Sequence, residues 1–246
     1  MDLTLHQFAF SHFNEKARWA LAYKGLAHHR EIYLPGPHMP AIRKLSGQTQ
    51  TPVLQTNSGY IAGSAAIIDH LETSYPDPPL YPAESPQRQQ ALQLQQTLDL
   101  ELGPAVRTAL FSALINELSY LCHMFAGHTT TPKRLAYRMT LPLVKGMIAK
   151  GNGTDDADNI ARCFERTMAW LDQLQQSLTP SGYLVGDQFS VADLSAAALL
   201  APIASVTHID MKRPDPIPDS VQHVFDQFSE HPTIGWVNQI YQQHRP

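Results

Sequence analysis

The chain has 246 residues, of which 43% are hydrophobic and 16% are charged, and its formal net charge is -4. This composition predicts a globular protein whose core is large enough to be stable without disulfides. The slightly acidic balance argues against a nucleic-acid-binding protein, because such proteins usually present a basic surface.

The two cysteines and the lengths of the apolar segments indicate the cellular compartment of the protein. Cys122 and Cys163 are too few for a disulfide framework, so we expect a reducing compartment and two small buried side chains. The first residues lack a basic stretch followed by an apolar run, which argues against a signal peptide. No segment has about 18 uninterrupted apolar residues, so neither a membrane-spanning helix nor a membrane partner is expected. These features predict a cytoplasmic protein.

Strand and helix signals alternate over the first eighty residues. Residues 3–8 indicate a strand, and apolar residues from Phe13 to Leu21 recur at helical spacing, with Gly25 where a helix would end. The following segments predict a strand over 30–34, a proline-rich loop over 35–40, a short helix over 41–45, a hairpin over 53–61 and a helix over 65–75 with Ser64 as its N-cap. This order indicates an α/β unit.

A proline-rich segment follows, with five prolines between residues 76 and 86, and it indicates a stiff linker. We therefore predict an α/β domain over 1–78, a linker over 79–86 and an all-helical domain over 87–246. Within the helical domain the pattern predicts one long helix over 87–125, bent at Gly103-Pro104. Further helices are predicted from 132 to about 151, over 155–178, over 194–200 after a capping box at 190–193, over 219–228 and over 232–242.

Three segments of the first domain favour an anionic, peptide-like ligand. Ser11 stands at a helix start, where it could simply cap the helix or, with the exposed N–H groups and the helix dipole, bind an anion. Thr51-Pro52 could be an ordinary turn or a cis-proline that exposes the backbone of Thr51 for pairing with a peptide. Ser64 has the same two interpretations as Ser11.

Four motifs in this order resemble the cytosolic glutathione transferase superfamily over nearly the whole chain. SHFNEKARWAL resembles the first-helix motif of serine- and cysteine-type classes, here bacterial-like, in which Ser or Cys lies seven residues before Arg; these are Ser11 and Arg18. TPVL resembles the cis-proline segment, Gly63-Ser64 the pair that holds a carboxylate, and FSVADLSAAALL the capping-box helix of the second domain. The resemblance implies a thioredoxin-like N-terminal domain followed by an all-helical C-terminal domain.

The resemblance also implies residue roles. Ser11 would donate a hydrogen bond to the sulfur of glutathione, and the backbone of Thr51 would pair with its cysteinyl part. Gly63 and Ser64 would hold the γ-glutamyl carboxylate, and Gln50, beside Thr51, belongs to the same glutathione-binding set.

His38 and three departures from the family pattern concern the same site. His38 lies thirteen residues before Thr51, where omega-like members place a Lys that meets the glycyl carboxylate; it could equally be a solvated loop histidine. Gly63 stands where the family usually has Glu, Gln or Asp, so a partner for the γ-glutamyl amine is missing. Asn14 replaces a Cys of many bacterial relatives and rules out a CxxC-like redox pair. The loop over 35–40 is unusually rich in proline.

The resemblance implies an enzyme that conjugates glutathione, as co-substrate, to small hydrophobic electrophiles in detoxification, and that forms a homodimer. Phe111, Tyr120 and Met124 are candidates to line the electrophile site, with a place in the helical core as the alternative. Because of Gly63, a non-catalytic protein that binds ligands or partners remains a second hypothesis. A glutathione-dependent isomerase, dehalogenase or peroxidase is a third.

Other polar clusters predict little chemistry. The pairs His28-His29 and Cys122-His123 lack further ligands at metal-binding spacing, so no metal is expected. The basic residues of the first domain are expected to be solvated or locally paired rather than a nucleic-acid patch; they are Lys16, Arg18, Lys24, Arg43 and Lys44.

Overall fold

The computed structural model describes residues 3–246, so Met1 and Asp2 of the predicted first domain lie outside the described residues. The first part contains, in chain order, β1 (Thr4–Phe8), α1 (His12–Tyr23), β2 (His29–Tyr33), α2 (Met39–Ser46), β3 (Val53–Thr56), β4 (Gly59–Ala62) and α3 (Ser64–Ser74). This succession confirms the predicted α/β fold of the first domain.

The four strands form one mixed sheet in the order β2-β1-β3-β4. β1 and β2 are parallel because α1 carries the chain back across the sheet between them, whereas β3 runs antiparallel to both β1 and β4. The central strands contribute the core, since Leu5, Val53 and Leu54 are fully buried. α1 and α3 pack against each other in this domain.

The rest of the chain is helical, as predicted. Its elements are α4 (Ser85–Leu100), α5 (Leu102–Leu114), α6 (Leu118–Ala126), α7 (Thr131–Gly151), α8 (Ala157–Ser177), α9 (Val191–Leu200), α10 (Asp219–Ser229) and α11 (Pro232–His244). The predicted capping box opens α9: the Asp193 carboxylate accepts from the Ser190 N–H at 2.9 Å, and Ser190 Oγ accepts from the Ala192 N–H at 3.3 Å. α9 is buried along its whole length and forms the centre of this domain.

The segment between α3 and α4 is neither helix nor strand over residues 75–84. It is nevertheless tied down at both sides, because the Glu72 carboxylate accepts from the N–H groups of Leu80 and Tyr81, and the Leu80 carbonyl accepts from the Val191 N–H. The boundaries 1–78, 79–86 and 87–246 stay a prediction.

The single long helix predicted over 87–125 is wrong. The chain forms α4, α5 and α6 instead, with breaks at Glu101 and at residues 115–117. Gly103-Pro104 does not bend a continuous helix, because both residues lie in the first turn of α5. A proline is well tolerated there, since the first-turn N–H groups have no partner within the helix.

Two predicted helix starts also differ from the structure. α2 begins at Met39 rather than Ala41 and includes Pro40 in its first turn, so the proline-rich loop is shorter than predicted. The N-cap of α3 is Gly63, and Ser64 is the first helical residue. Pro40 is compatible with helix at this position because the first turn needs no N–H donor.

α1 lies between the sheet and the helical domain, where it packs against α9. Its closest approach to α5 is at Gly103, where an added Cβ would lie 2.6 Å from Cζ of Phe13 and 3.1 Å from Cδ2 of Leu199. His12 joins the same two helices by donating from Nε2 to the Gly103 carbonyl at 3.1 Å. The absence of a side chain at Gly103 therefore permits the contact between the domains.

Both cysteines are free thiols; Cys122 is buried, as predicted, whereas Cys163 is only half-buried. Within residues 3–246, no helix has the length and apolar character needed to cross a bilayer. The same residues hold no cluster of three or more His, Cys, Asp or Glu side chains suited to a metal ion.

The buried His12 predicts that stability depends on pH. Burial, and then the nearby Arg107 charge, lower the pKa of His12 from 6.5 to about 3, so the folded protein keeps this imidazole neutral. The unfolded chain takes up the proton below about pH 6.5, and stability is therefore lost as the pH falls from 6.5 towards 3. We expect the free energy of unfolding to fall by about 2 kcal/mol between pH 6.5 and 5 from this group.

Denaturant unfolding of His12→Gln at several pH values measures this contribution. The amide can still donate to Gly103 but does not titrate, so stability should fall less steeply with acidification than in the unmodified protein. His223→Gln changes an exposed histidine and should keep the original pH dependence. Identical pH dependence in His12→Gln and the unmodified protein would contradict the assignment.

Candidate functional site

Three chain segments meet at one edge of the sheet. Ser11 follows the end of β1, and Thr51-Pro52 precedes β3, which starts beside that end because Val53 pairs with His6 in antiparallel register. The end of β4 pairs with the start of β3, which brings Gly63 to Pro52; the Gly63 N–H donates to the Pro52 carbonyl at 2.9 Å. Ser11, Thr51, Gly63 and Ser64 are hereafter called the edge site.

Ser11 is the N-cap of α1. Its backbone is extended, and its Oγ accepts from the Asn14 N–H at 3.5 Å, so the capping interpretation is confirmed. Capping uses the hydroxyl as an acceptor only, and within residues 3–246 the hydroxyl proton has no acceptor. The side chain can therefore cap α1 and donate to an anion at the same time.

Asn14 connects two parts of the edge site. It is fully buried one turn into α1, and its Nδ2 donates to Oγ1 of Thr51 at 3.2 Å. Its Oδ1 is buried and has no donor among the described residues. The sequence indicated only that Asn14 excludes a redox pair, whereas the structure shows that it holds Thr51 near the start of α1.

The Thr51-Pro52 peptide bond is cis, in agreement with the cis-proline interpretation, whereas the pairing of Thr51 with a peptide stays a prediction. Thr51 lies two residues before Val53, the first residue of β3, and so lies beyond the strand ladder. Thr51 lies next to Ser11, and its backbone does not take part in strand pairing. This backbone is therefore suited to pair with an extended ligand.

The backbone conformation at position 63 favours glycine. Its φ of 93° lies in the region that favours glycine, and an added Cβ would meet no atom within 4 Å, so conformation rather than space is the constraint. Because Gly63 is the N-cap, Ser64 is the first helical residue of α3. Ser64 is 5% exposed, and its hydroxyl has no hydrogen-bond partner within residues 3–246. The free N–H groups of this first turn and the helix dipole favour an anion.

His38 lies in the loop before α2 with both ring nitrogens occupied. Nδ1 accepts from the Gly36 N–H at 3.0 Å, so Nε2 carries the proton and donates to the Thr49 carbonyl at 2.9 Å. Burial lowers the pKa of His38, which favours the neutral ring. In this arrangement His38 holds the segment that leads to Thr51, and a direct contact with a ligand would require one of these bonds to break. Gln50 is exposed beside Thr51.

The three candidates on the helical side are not equivalent. Phe111 is half-buried, and its ring lies 6.4 Å from Phe125, which in turn lies 6.4 Å from Phe8 at the end of β1. Tyr120 and Met124 are 8% and 7% exposed within the hydrophobic core, the alternative considered for them. Phe111 is therefore the most exposed of the three, and Phe125, which the sequence did not indicate and which is 5% exposed, packs behind it.

A buried ionic network supports the start of α1. Arg18 donates from Nε to Glu15 at 2.7 Å, from Nη1 to Gln7 at 2.9 Å and from Nη2 to the Ser11 carbonyl at 3.4 Å. Arg18 and Glu15 are 1% and 0% exposed, so breaking this pair would leave a buried charge uncompensated, at a cost of about 3–5 kcal/mol. Arg18 thus fixes the backbone on which Ser11 is presented.

The network continues to the C-terminus. Arg245 donates to Glu15 at 2.8 Å and to Asp210 at 2.6 Å, and Arg30 also pairs with Asp210. Burial alone would raise the pKa of Asp210, but the charges of Arg18, Arg30 and Arg245 outweigh it, and this pKa is lowered. Asp210 therefore stays ionised and joins three arginines from distant parts of the chain.

The basic residues of the first domain are locally paired where they are buried. Lys16 pairs with Asp99 on α4, and Lys24 pairs with Glu72 on α3. Arg43 and Lys44 are exposed on α2. The alternative of local pairing is therefore confirmed for Lys16, Arg18 and Lys24, and these three form no surface patch.

Two surface cavities lie away from the edge site. One, of about 420 Å³, is lined by α3 and α4, including Ala66, Asp69 and Gln96. The other, of about 400 Å³, lies near the C-terminus, beside His208 and Arg245. The edge site is recognised by the chemistry of its residues, not by an enclosed volume.

Comparison with known proteins points to one family. Residues 5–79 match the family model for the glutathione S-transferase N-terminal domain, and residues 141–236 match that for the C-terminal domain. A curated glutathione S-transferase from Pseudomonas putida (strain F1) is 27% identical over 106 residues, or 43% of this chain and 48% of the relative. The alignment thus spans about half the length of that relative.

Solved structures support the same fold. A glutathione S-transferase from Rhodospirillum rubrum F11 matches with a TM-score of 0.67 and 18% identity, over 98% of this chain and 88% of that one. A glutathione S-transferase from Methylobacterium radiotolerans, in complex with glutathione sulfonate, matches with a TM-score of 0.65 and 18% identity, over 99% and 91% of the two chains. At these identities the likeness shows the fold.

The backbone at Gly63 predicts the effect of a side chain there. Gly63→Ala places a Cβ at φ 93°, which should lower the free energy of unfolding by about 1–2 kcal/mol and weaken ligand binding at the start of α3. Gly146→Ala is a matched control, because Gly146 lies inside α7 with open space around it and should be stabilised by up to about 1 kcal/mol. Denaturant unfolding of both variants decides the point, and a Gly63→Ala protein as stable as the unmodified one would contradict it.

Proposed function

Because the chain belongs to the glutathione S-transferase family, we propose that it is an enzyme that conjugates glutathione to small apolar electrophiles, with Ser11 stabilising the thiolate. The observation that carries the proposal is the convergence of Ser11, the cis Thr51-Pro52 segment and the start of α3 at one edge of the sheet. A hydroxyl donor, a free backbone and a helix N-terminus suit a thiolate, a peptide and a carboxylate, respectively.

Each part of glutathione has a proposed partner. The Ser11 hydroxyl donates to the sulfur, and the Thr51 backbone pairs with the cysteinyl residue. The γ-glutamyl carboxylate binds Ser64 and the N–H groups of the first turn of α3, next to Gly63. Gln50, exposed beside Thr51, lies within the same region, and His38 acts by holding the loop through Thr49.

Ser11 contributes a modest part of the rate. A thiol with a pKa near 8.5 is about 3% ionised at pH 7, and lowering this pKa by about two units needs roughly 2.7 kcal/mol. A charge-assisted hydrogen bond contributes about 1.5–3 kcal/mol and a helix terminus about 0.3–1 kcal/mol, so the shift is within reach.

The ionised fraction then rises to about 75%, a gain of roughly 25-fold. The less basic thiolate is a weaker nucleophile, and with a Brønsted slope of about 0.45 it loses about eightfold of that gain. The net gain is about threefold, so most of the acceleration comes from holding the thiolate and the electrophile together. The proposed electrophile site lies on the helical side, at Phe111, because Tyr120 and Met124 are buried in the core.

The family likeness also supports three broader proposals: a homodimer, a cytoplasmic location and a role in detoxification. Sedimentation velocity tests the homodimer, for which a mass near twice 27.4 kDa is expected.

A non-catalytic protein that binds ligands or partners is the second candidate. It is favoured by Gly63, which supplies no side chain to the γ-glutamyl amine of glutathione. Calorimetry with glutathione, paired with assays on a panel of electrophiles that includes isomerase, dehalogenase and peroxidase substrates, distinguishes the two. No measurable binding of glutathione at millimolar concentration, together with no turnover, would favour the second candidate.

Removal of the Ser11 hydroxyl tests the proposed mechanism. In Ser11→Ala, which loses the hydrogen bond but keeps the helix terminus, the pKa of bound glutathione should rise by about one to two units, and turnover at pH 7 should fall by up to about threefold. The pH dependence of kcat and the ultraviolet absorbance of the bound thiolate measure these changes. Ser58→Ala changes an exposed hydroxyl in the β3–β4 turn and should leave both unchanged. An unshifted thiol pKa in Ser11→Ala would refute the role of Ser11.

A further inference from the structure

Arg107 lies on the face of α5 that is turned towards the first domain. Gly103, Arg107 and Phe111 are spaced four residues apart and so share one face of this helix. Gly103 contacts α1 at Phe13 and His12, and Phe111 stacks towards Phe125. Arg107 is therefore placed between the start of α1, directly after Ser11, and the apolar wall at Phe111.

Within residues 3–246, Arg107 has neither an ion pair nor a hydrogen bond. It is mostly buried, and its Nε is completely buried without an acceptor. Burial lowers the pKa of this guanidinium, and no carboxylate offsets the effect. An arginine stays protonated in proteins, so Arg107 carries a positive charge that no carboxylate among the described residues offsets.

The other buried cations of the chain, unlike Arg107, have partners. Lys16, Arg18, Lys24 and Arg245 each pair with a carboxylate within hydrogen-bond distance. Arg213 donates to two backbone carbonyls and a serine hydroxyl and lies over the Phe225 ring. Among these described cations, Arg107 alone lacks a partner that would offset the cost of removing it from water.

The surroundings of Arg107 keep its charge uncompensated. His12, the nearest titratable group on α1, is held neutral and is already bonded to the Gly103 carbonyl. Asp99, at the end of α4, is engaged by Lys16. A planar guanidinium with free N–H groups is well suited to bind a carboxylate through two parallel hydrogen bonds.

We propose that Arg107 binds an anionic group, a carboxylate, of the electrophile, so that the preferred substrates combine an apolar body with a negative charge. This inference rests on the proposed function and narrows its substrate class. The apolar body lies against Phe111, behind which Phe125 packs, and the carboxylate is held by Arg107 on the helical side of the gap. The glutathione contacts are on the other side, at the edge site.

The test reaction is an aromatic substitution. The thiolate sulfur of glutathione adds to the ring carbon that bears chlorine, a C–S bond forms, the C–Cl bond breaks and chloride leaves. The thiol proton passes to solvent, and no oxidant or reductant is needed. 4-Chloro-3-nitrobenzoate supplies the carboxylate, and its methyl ester is the matched uncharged substrate.

Steady-state rates with both substrates are compared for the unmodified protein, Arg107→Gln and Arg107→Lys, with glutathione affinity followed by calorimetry. In Arg107→Gln the kcat/KM for the acid should fall about 10- to 100-fold, because a charge-assisted pair is lost. The kcat/KM for the ester and the Kd for glutathione should change less than about threefold. Arg107→Lys keeps the charge and should restore part of the activity with the acid. Arg138→Gln, which removes an exposed charge on α7, is the control and should leave both substrates unaffected.

Binding of the two conjugates, measured by calorimetry, gives the same comparison independently of turnover, and the acid conjugate should lose affinity selectively in Arg107→Gln. Equal losses for acid and ester, or a loss of glutathione affinity alone, would overturn the role of Arg107 and leave the proposed function standing. Failure of the unmodified protein to bind glutathione would overturn the proposed function, and this inference with it.

Discussion

The buried pair of Arg18 and Glu15 is the interaction on which the edge site depends. Both charges are excluded from water, and each is satisfied by partners from other parts of the chain: Gln7 and the Ser11 carbonyl for Arg18, Arg245 for Glu15. Asp210 adds a second carboxylate that pairs with Arg30 and Arg245. The start of α1 is thereby tied to β1, to the segment before α10 and to Arg245, directly after α11. Ser11 is held rigidly because its carbonyl is part of this network, although its hydroxyl is not.

Most of the buried cations around α1 stabilise the fold through ion pairs, whereas Arg107 does not. Lys16, Arg18 and Lys24 all point into the protein, and carboxylates on α3, α4 and α1 itself offset their desolvation. Arg107, on the facing helix, has no such partner within the described residues, and its buried Nε lacks an acceptor. A charge buried without a partner lowers the free energy of unfolding. A role in binding an anionic ligand explains why the chain keeps such a charge. For ligand binding, the edge site supplies backbone N–H donors and hydroxyl groups, whereas Arg107 on α5 supplies a positive charge.

Local signals in the sequence predicted much of the fold and the approximate site. The Ser11 cap, the β3–β4 hairpin, the Ser190 capping box and the X-Pro segment at Thr51 depend on residues close in the chain, so a sequence alone can indicate them. The errors arose where distant residues decide. Gly63 rather than Ser64 caps α3, and the Gly63 N–H bonds to the Pro52 carbonyl; the pairing of Lys16 was expected, but its partner Asp99, 83 residues away, was not. The break at Glu101 and the isolation of Arg107 likewise depend on how α5 meets α1, which periodicity does not show.

A crystal structure of the protein with bound glutathione would examine all parts of the edge site together. We expect the sulfur within hydrogen-bond distance of Ser11 Oγ, the cysteinyl backbone paired with Thr51, and the γ-glutamyl carboxylate at Ser64 and the first turn of α3. Glutathione bound with its sulfur facing a different side chain, or bound away from the junction of α1, β3 and α3, would contradict this expectation.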